Sequence, residues 1–413
     1  MFVLFHNYYT RLIRFSKNVK LYLLALTLNS IGTGMFLVLY NLYLKELQYN
    51  EAFVGRTVSL KALAAVLILL PAGVFSDRLG RRKAMITGAV FSGISFAILS
   101  LLEDANIILI FIFCNGVFNS FFMVAQAPFI MENTTPKERI HLFSINSALM
   151  VGAWMLGNII GGWIPDILTY WFTTLVAMKI TLMISALIIF LGAVPLIKIR
   201  EIQTHQQRNF DEIIKMLRDK KELLTLGKFI LPSALVGFGA GLFVPYTNLY
   251  LANQYGMTTS LIGIVMALSQ IMTAFATLFA PVLVKQVGRV KGIFIFQMSS
   301  IPFLFIMATT SNVFLAMVAV LLRTALMNAA NPITSNLMME EVGDKVKGIA
   351  NSLSQMAFQL GWVVMGPISG MIIAEYGYSY VFFLAMFFYL GSALCYFIFF
   401  RHLDEEKVQS AIY

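Results

Sequence analysis

The sequence predicts an all-α membrane protein of 12 transmembrane helices, arranged as two pseudo-symmetric six-helix bundles. Three observations lead there. Of the 413 residues, 59% are apolar and only 12% charged, against about 25% charge in soluble domains. Twelve apolar runs of 19 to 27 residues follow one another, each close to the ~20 that a helix needs to cross a ~30 Å hydrocarbon core. Finally, three blocks of the first half return in the second at one offset, 207 to 209 positions later.

In chain order, the first run, 21–44, carries Gly32-Thr33-Gly34-Met35-Phe36 and then Asn41-Leu42-Tyr43-Leu44. The second, 54–76, ends in the basic turn that runs from Gly73 through Asp77, Arg78, Gly80, Arg81 and Arg82 to Lys83, and the charge-free 84–102 follows. The fourth, 106–131, bears Asn115, Asn119 and Gln126 on one helical stripe. Small residues Gly152, Gly157, Gly161 and Gly162 form a flat face in the fifth, 141–164, and 174–197 closes the first set. Segment 198–228, rich in both charge signs and with an amphipathic stretch over 210–224, reads as a cytoplasmic linker. The expected domains are therefore a bundle over 1–197, the linker 198–228 and a bundle over 229–413.

The second set opens on 229–251, where Gly239-Ala240-Gly241-Leu242-Phe243 and Asn248-Leu249-Tyr250-Leu251 repeat the first block at seven of thirteen positions. After 260–284 the turn returns as Pro281 to Lys291, again with glycine followed by arginine, Gly288-Arg289. Run 292–310 leads to 312–338, whose stripe holds Thr324, Asn328, Asn331 and Ser335. The glycine face returns in 349–374 as Gly361, Gly366 and Gly370, before the last run, 378–400. Six spans per repeat leave both copies in the same orientation, as parallel repeats about an axis along the membrane normal require.

The net charge of +10 invites a nucleic-acid partner. Yet 25 of the 30 Lys and Arg fall in alternate loops and the two ends, the distribution of a cytoplasmic face. Basicity thus reports topology: a multi-pass protein of a cell membrane, both termini cytoplasmic, with the lipid bilayer and no nucleic acid as partner. Short loops point to a bacterial cytoplasmic membrane. Residues 1–15 read as an interfacial lead-in. Cys114 and Cys395 lie in apolar runs and the four histidines are scattered, so no disulfide, metal site or cofactor is expected. No HExxH, no GxSxG with a partner histidine, no paired intramembrane aspartates and no Walker A loop occur, which argues against an enzyme. An intramembrane receptor or enzyme is the alternative of a different class.

The turn Gly73-Val74-Phe75-Ser76-Asp77-Arg78-Leu79-Gly80-Arg81-Arg82 resembles the loop signature G-x-L-x-D-R-x-G-R-R/K of the major facilitator superfamily of secondary transporters, with Phe75 where leucine is usual. Gly157-Asn158-Ile159-Ile160-Gly161-Gly162 is similar to that family's fifth-helix signature, with Asn158 in place of proline. Gly116, Glu132 and Pro136 to Arg139 resemble its fourth-helix pattern, with Ile112 where arginine is usual. The resemblance implies alternating access by two rocking bundles, and a central cavity lined by helices 1, 4, 7 and 10. It also implies a latch between the halves made by Gly73, Asp77, Arg78, Gly80, Arg81 and Arg82, with Asp77 meeting the other bundle near helix 11. A plain topogenic turn is the other reading of Arg81 and Arg82. The glycine faces of helices 5 and 11 are read as an interface that slides between the halves, or as static packing.

Polar groups in hydrocarbon are costly, so interior ones should face water or each other. Asn29, Tyr40 and Asn41 of the first span, Asn115, Asn119 and Gln126 of the fourth, Tyr246 and Asn248 of the seventh, and Asn328 and Asn331 of the tenth are the expected substrate pathway. Two cations lie deep: Lys61, about 18 Å from Gly73 along its helix, and Arg323, about 16 Å from the start of the tenth. All 20 carboxylates fall in loops or at span ends. Exporters of cationic drugs commonly hold the cation and the proton on an intramembrane carboxylate. Lys61 and Arg323 instead favour an anionic or amphipathic small-molecule substrate. The expected function is a secondary transporter, monomeric, with proton or sodium as a candidate coupling ion. A broad-specificity multidrug efflux pump of the same superfamily is the alternative, supported by 36 Phe and 23 Met.

Overall fold

The computed structural model describes residues 15–201, 220–343 and 347–410. Residues 1–14 of the expected lead-in and most of the expected linker, with much of its amphipathic stretch, lie outside these described residues. Among them the chain is helical and contains no strand. Helices α1 (Lys17–Glu46), α2 (Glu51–Leu79), α3 (Arg81–Leu99), α4 (Ala105–Glu132), α5 (Pro136–Leu168) and α6 (Thr174–Leu191), the last extended by Ala193–Ile197, make the first six spans. The next six are α7 (Lys220–Phe243, continued by Thr247–Tyr255), α8 (Thr259–Val287), α9 (Arg289–Thr309), α10 (Val313–Glu341), α11 (Lys347–Tyr376) and α12 (Tyr378–Ser410). Twelve helices among the described residues are long and apolar enough to cross a membrane. Most overrun their apolar runs, because helical hydrogen bonding continues into the polar ends until a cap or a Gly stops it.

Those stops are local chemistry. Asp104 Oδ1 accepts from the amides of Asn106 and Ile107 at 2.9 and 3.0 Å and starts α4, and Asn312 does the same for Phe314 and Leu315 at the head of α10. Ahead of α5 the Thr135 amide and hydroxyl both donate to Glu138 Oε2, a capping box. These bonds hold the exposed Glu138 carboxyl below its usual range. Within the seventh span Pro245, which has no amide hydrogen to continue the ladder, sits in a 3-10 turn over Val244–Tyr246 that separates the two helical pieces.

The chain divides into two compact units, Met1–Tyr43 with Leu67–Gln207 and Leu44–Val66 with Arg208–Tyr413. The four opening turns of α2 thus belong with the later helices, although the sequence places that helix wholly in the earlier set. Each unit has its own apolar core. In the first, Tyr22, Met85, Phe122, Phe129, Leu142 and Leu196 pack together; in the second, Phe229, Ile293, Phe296, Leu337 and Phe400 do.

The repeated Gly-x-Gly block marks close helix approaches within each unit. In the first, a Cβ at Gly32 would come to 2.6 Å from the Ser185 carbonyl of α6, and one at Gly34 to 2.7 Å from the Trp154 carbonyl of α5. In the second, Gly239 lies against the Tyr389 ring of α12, and a Cβ at Gly241 would sit 2.9 Å from the Gly361 carbonyl of α11. One helix therefore meets two others on successive small residues, in both copies.

The basic turn repeats as geometry too. Gly80 and Gly288 adopt φ of 98° and 93°, a region that side chains disfavour, and so let α2 pass into α3 and α8 into α9 within one residue. At each, a Cβ would overlap a carboxylate: Glu201 beside Gly80, Asp404 beside Gly288. Asp404 accepts from the amides of Arg289, Val290 and Lys291 at 2.9, 3.3 and 3.0 Å, capping the α9 N-terminus from the far end of the chain. Asp404→Asn keeps one acceptor and loses the charge at a helix start. It is expected to cost about 1 kcal/mol, read as a lower melting temperature of the purified protein; a change within error refutes the cap.

Candidate substrate pathway and charged turns

In the first unit Arg81 is the centre of the basic turn. Its guanidinium pairs with Asp77 one turn earlier, reaches Ser76 Oγ at 3.1 Å, and donates through Nε to Glu132 Oε1 at 2.9 Å. Arg82 instead donates to the carbonyls of Leu196 and Ile197 at 3.2 and 2.6 Å, closing the end of α6. The carboxylate beside the start of α3 belongs to Glu201, and Asp77 is taken up by Arg81. Gly73 is 3.8 Å, as a Cβ, from Val124 of α4, an ordinary contact. In the second unit Arg289 pairs with Glu340, 208 positions beyond Arg81 and Glu132. The duplicated arginine was legible as the residue after the turn glycine. Its partner was not, since each glutamate lies 51 positions further on.

The expected pathway residues separate into three groups. Some serve packing within the first unit. Asn115 is fully buried and its Nδ2 donates to Ser92 Oγ of α3 at 3.1 Å, while Gln126 Oε1 accepts from Tyr22 at 3.4 Å, and Tyr22 also donates to Asn146 at 2.6 Å. Tyr40 stacks on Phe36 with centroids 4.4 Å apart; Asn29 is buried, and Asn41 and Asn119 are half-buried.

A second group lies where the opening turns of α2 meet α7 and α11, all within the second unit. Tyr246 donates to the Gly366 carbonyl at 2.6 Å, and Ser59 to the Val363 carbonyl at 2.6 Å. Glu51 takes Lys45 at 2.9 Å and Asn253 at 3.0 Å, and Asn253 also reaches the Tyr378 hydroxyl at 3.0 Å. Asn248 accepts from the next amide at the start of the continued helix. Lys61 lies half-buried two residues past Ser59.

The third group faces the interior of the second unit from α10. Arg323 is only 4% exposed. Its guanidinium carbon lies 4.2 Å from the centre of the Phe243 ring and 5.0 Å from that of Tyr389, whose hydroxyl takes a hydrogen bond from Nη2. Nε has no hydrogen-bond partner, and among the described residues no carboxylate forms an ion pair with Arg323. Two turns on, Asn331 donates to Asn328 at 3.3 Å and opens onto a cavity. The part of Phe243 and Tyr389 in holding Arg323 had no sequence signal, because a ring that holds a cation looks like any other ring in an apolar run.

The two glycine faces have distinct duties. Gly157 and Gly161 receive Ile31 and Met35 of α1, whereas nothing lies within 4 Å of a Cβ at Gly152. Gly361 receives Gly237 of α7, and Gly366 and Gly370 receive Gly55, Glu51 and Ala52 of α2. No cluster of three or more metal-ligating residues occurs among the described residues.

Twelve membrane-length helices, a duplicated charged turn and a polar interior define a polytopic membrane transporter, and comparison with known proteins places it. The Major Facilitator Superfamily pattern matches residues 22–348 and 229–411. The chain belongs to that superfamily and is a secondary transporter of a small solute. It is 24% identical over 374 residues, 88% of this chain and 92% of the relative, to an uncharacterized MFS-type transporter, MJ1560, of Methanocaldococcus jannaschii. It is 22% identical over 379 residues, 89% and 93% of the two chains, to multidrug resistance protein 1 of Bacillus subtilis (strain 168). Among solved structures it resembles the nucleoside transporter NupG, with a TM-score of 0.76 at 16% identity over 93% of this chain and 99% of that one. At that identity the likeness concerns the fold alone.

Proposed function

We propose that the solute is a small anion or an amphipathic molecule with an anionic group, carried by alternating access of the bundles 1–197 and 229–413 through the linker 198–228. Arg323 carries this reading. A cation held by two aromatic faces and one hydroxyl, with a free Nε–H and no ion pair to any carboxylate among the described residues, is under-compensated in a low-dielectric setting. An entering carboxylate or phosphate offers it the fork geometry that the protein withholds. Lys61 adds positive potential, and Asn328 and Asn331 of α10 orient the rest of the molecule.

Both termini face the cytoplasm in this reading, the protein works as a monomer in the cytoplasmic membrane, and a proton or sodium gradient drives it. The turn from Gly73 to Arg82 acts as the latch. Its Asp77 is shared with Arg81 in one state and freed toward the other bundle in the next. Asp77→Asn is expected to leave insertion and the melting temperature intact and to slow transport about tenfold; unchanged transport refutes the latch.

The test is uptake into proteoliposomes of benzoate, benzamide and benzylammonium, which share one ring and differ in charge, under an imposed proton or sodium gradient. Benzoate is expected to move fastest, and faster under one of the gradients. Multidrug efflux is the second reading, favoured by the relatives named multidrug resistance proteins 1 and 2 of Bacillus subtilis (strain 168). It predicts that benzylammonium moves at least as fast as benzoate.

A further inference from the structure

The second unit contains a cavity of about 230 Å³ between α7, α9, α10, α11 and α12, beside the end of the unit that carries Arg289 and Glu340. No lining residue is charged or titrates near neutral pH. Its floor is Gln297 of α9 and Tyr396 of α12, which are 2% and 4% exposed. Asn331 of α10 and Asn351 and Gln355 of α11 stand exposed at its mouth, and Phe358 flanks them. Gln297 Oε1 is buried there without a hydrogen-bond partner.

An orphaned buried acceptor costs the full desolvation of that group unless something donates to it. In a cavity with room for about eight waters at ~30 Å³ each, the donor must be water or a solute. The lining then decides which solute. A full charge would meet no counter-charge and would lose its hydration, whereas an uncharged N–H or O–H finds an acceptor on the floor and amides of α10 and α11 at the mouth. The rings of Phe358 and Tyr396 favour a flat partner over a bulky one.

We infer that this cavity is a binding site for a neutral, planar group bearing N–H or O–H donors, an amide or heterocycle of about ten heavy atoms, whose donor is received by Gln297. It is separate from Arg323, which lies one turn beyond Met327 at the inner wall of the cavity. An amphipathic solute would therefore be read at two places by opposite criteria, charge at one and neutrality at the other. The inference stands even if Arg323 has no part in transport.

The probe is benzamide, titrated by calorimetry in lipid nanodiscs into the full chain bearing Arg323→Met, which removes the proposed anion site, with benzoate and benzylammonium as charged isosteres. Benzamide is expected to bind saturably and both ions at least tenfold more weakly. Gln297→Met, which keeps the volume and removes the acceptor, is expected to weaken benzamide about tenfold without lowering the melting temperature, because an orphaned polar group is lost. Gln355→Ala, at the exposed mouth and harmless to folding, is expected to weaken it about threefold. Absence of saturable benzamide binding, equal binding of the three probes, or affinity unchanged in both variants overturns the inference. Benzamide affinity reads this cavity and benzoate uptake reads Arg323, so either can fail while the other stands.

Discussion

Arg323→Met is expected to abolish transport of the preferred anion, with the initial rate in proteoliposomes falling about a hundredfold or more, while the protein stays folded. Losing one partner of a desolvated charge pair costs roughly 2–5 kcal/mol, and each 1.4 kcal/mol is tenfold. If the anion pairs with this guanidinium, the penalty falls on the loaded carrier. The empty carrier behaves differently. Its Arg323 is buried between Phe243 and Tyr389 with Nε unsatisfied, and replacing an under-compensated buried charge by an apolar chain of similar length is often neutral or stabilising. The signature is therefore a dead transporter with an equal or higher melting temperature. Arg323→Lys should recover only part of the rate, since an ammonium keeps the charge but neither the fork nor the flat face that stacks on the rings. Normal benzoate transport by Arg323→Met would end the anion reading.

Gly370→Leu is expected to damage the protein severely. A Cβ there would overlap the Glu51 carbonyl and stand 2.8 Å from Ala52 Cα, backbone that has no rotamer to yield. Overpacking of this kind costs about 1–3 kcal/mol, occasionally more. Here it would also part Glu51 from Asn253 and loosen the neighbouring Tyr246 to Gly366 bond. The purified variant should melt several degrees lower and lose transport. Gly152→Leu is the control, because nothing lies within 4 Å of its Cβ, and it should melt like the parent. Equal melting of both variants would remove the close approach of α2 and α11 from any part in stability.

The sequence made the twelve helices legible because hydrocarbon imposes one length and one composition on whatever crosses it, so a window of apolar residues is a physical ruler. The duplication was legible for a similar reason: Gly34 and Gly241 sit where two backbones touch, and neither position tolerates a side chain. Partners across long separations were not legible. Arg323 announced itself as a deep cation, but Tyr389, 66 positions away, did not stand out from the other tyrosines. Asn115 lay on a regular polar stripe, and only the packed structure shows that Ser92 absorbs it. Periodicity tells which face a residue shares and is silent on whether that face looks at water or at a neighbouring helix. Gln297 escaped notice because one amide in an apolar run has no period at all.

The acid at Asp404 has a practical consequence for anyone handling this protein. It follows the last apolar run, where purification tags are customarily fused, yet it anchors a helix start 115 positions upstream. A fusion junction set at residue 400 would delete that anchor while leaving every apolar segment intact. The expected result is material that inserts normally but unravels sooner in detergent, so junctions belong downstream of Asp404.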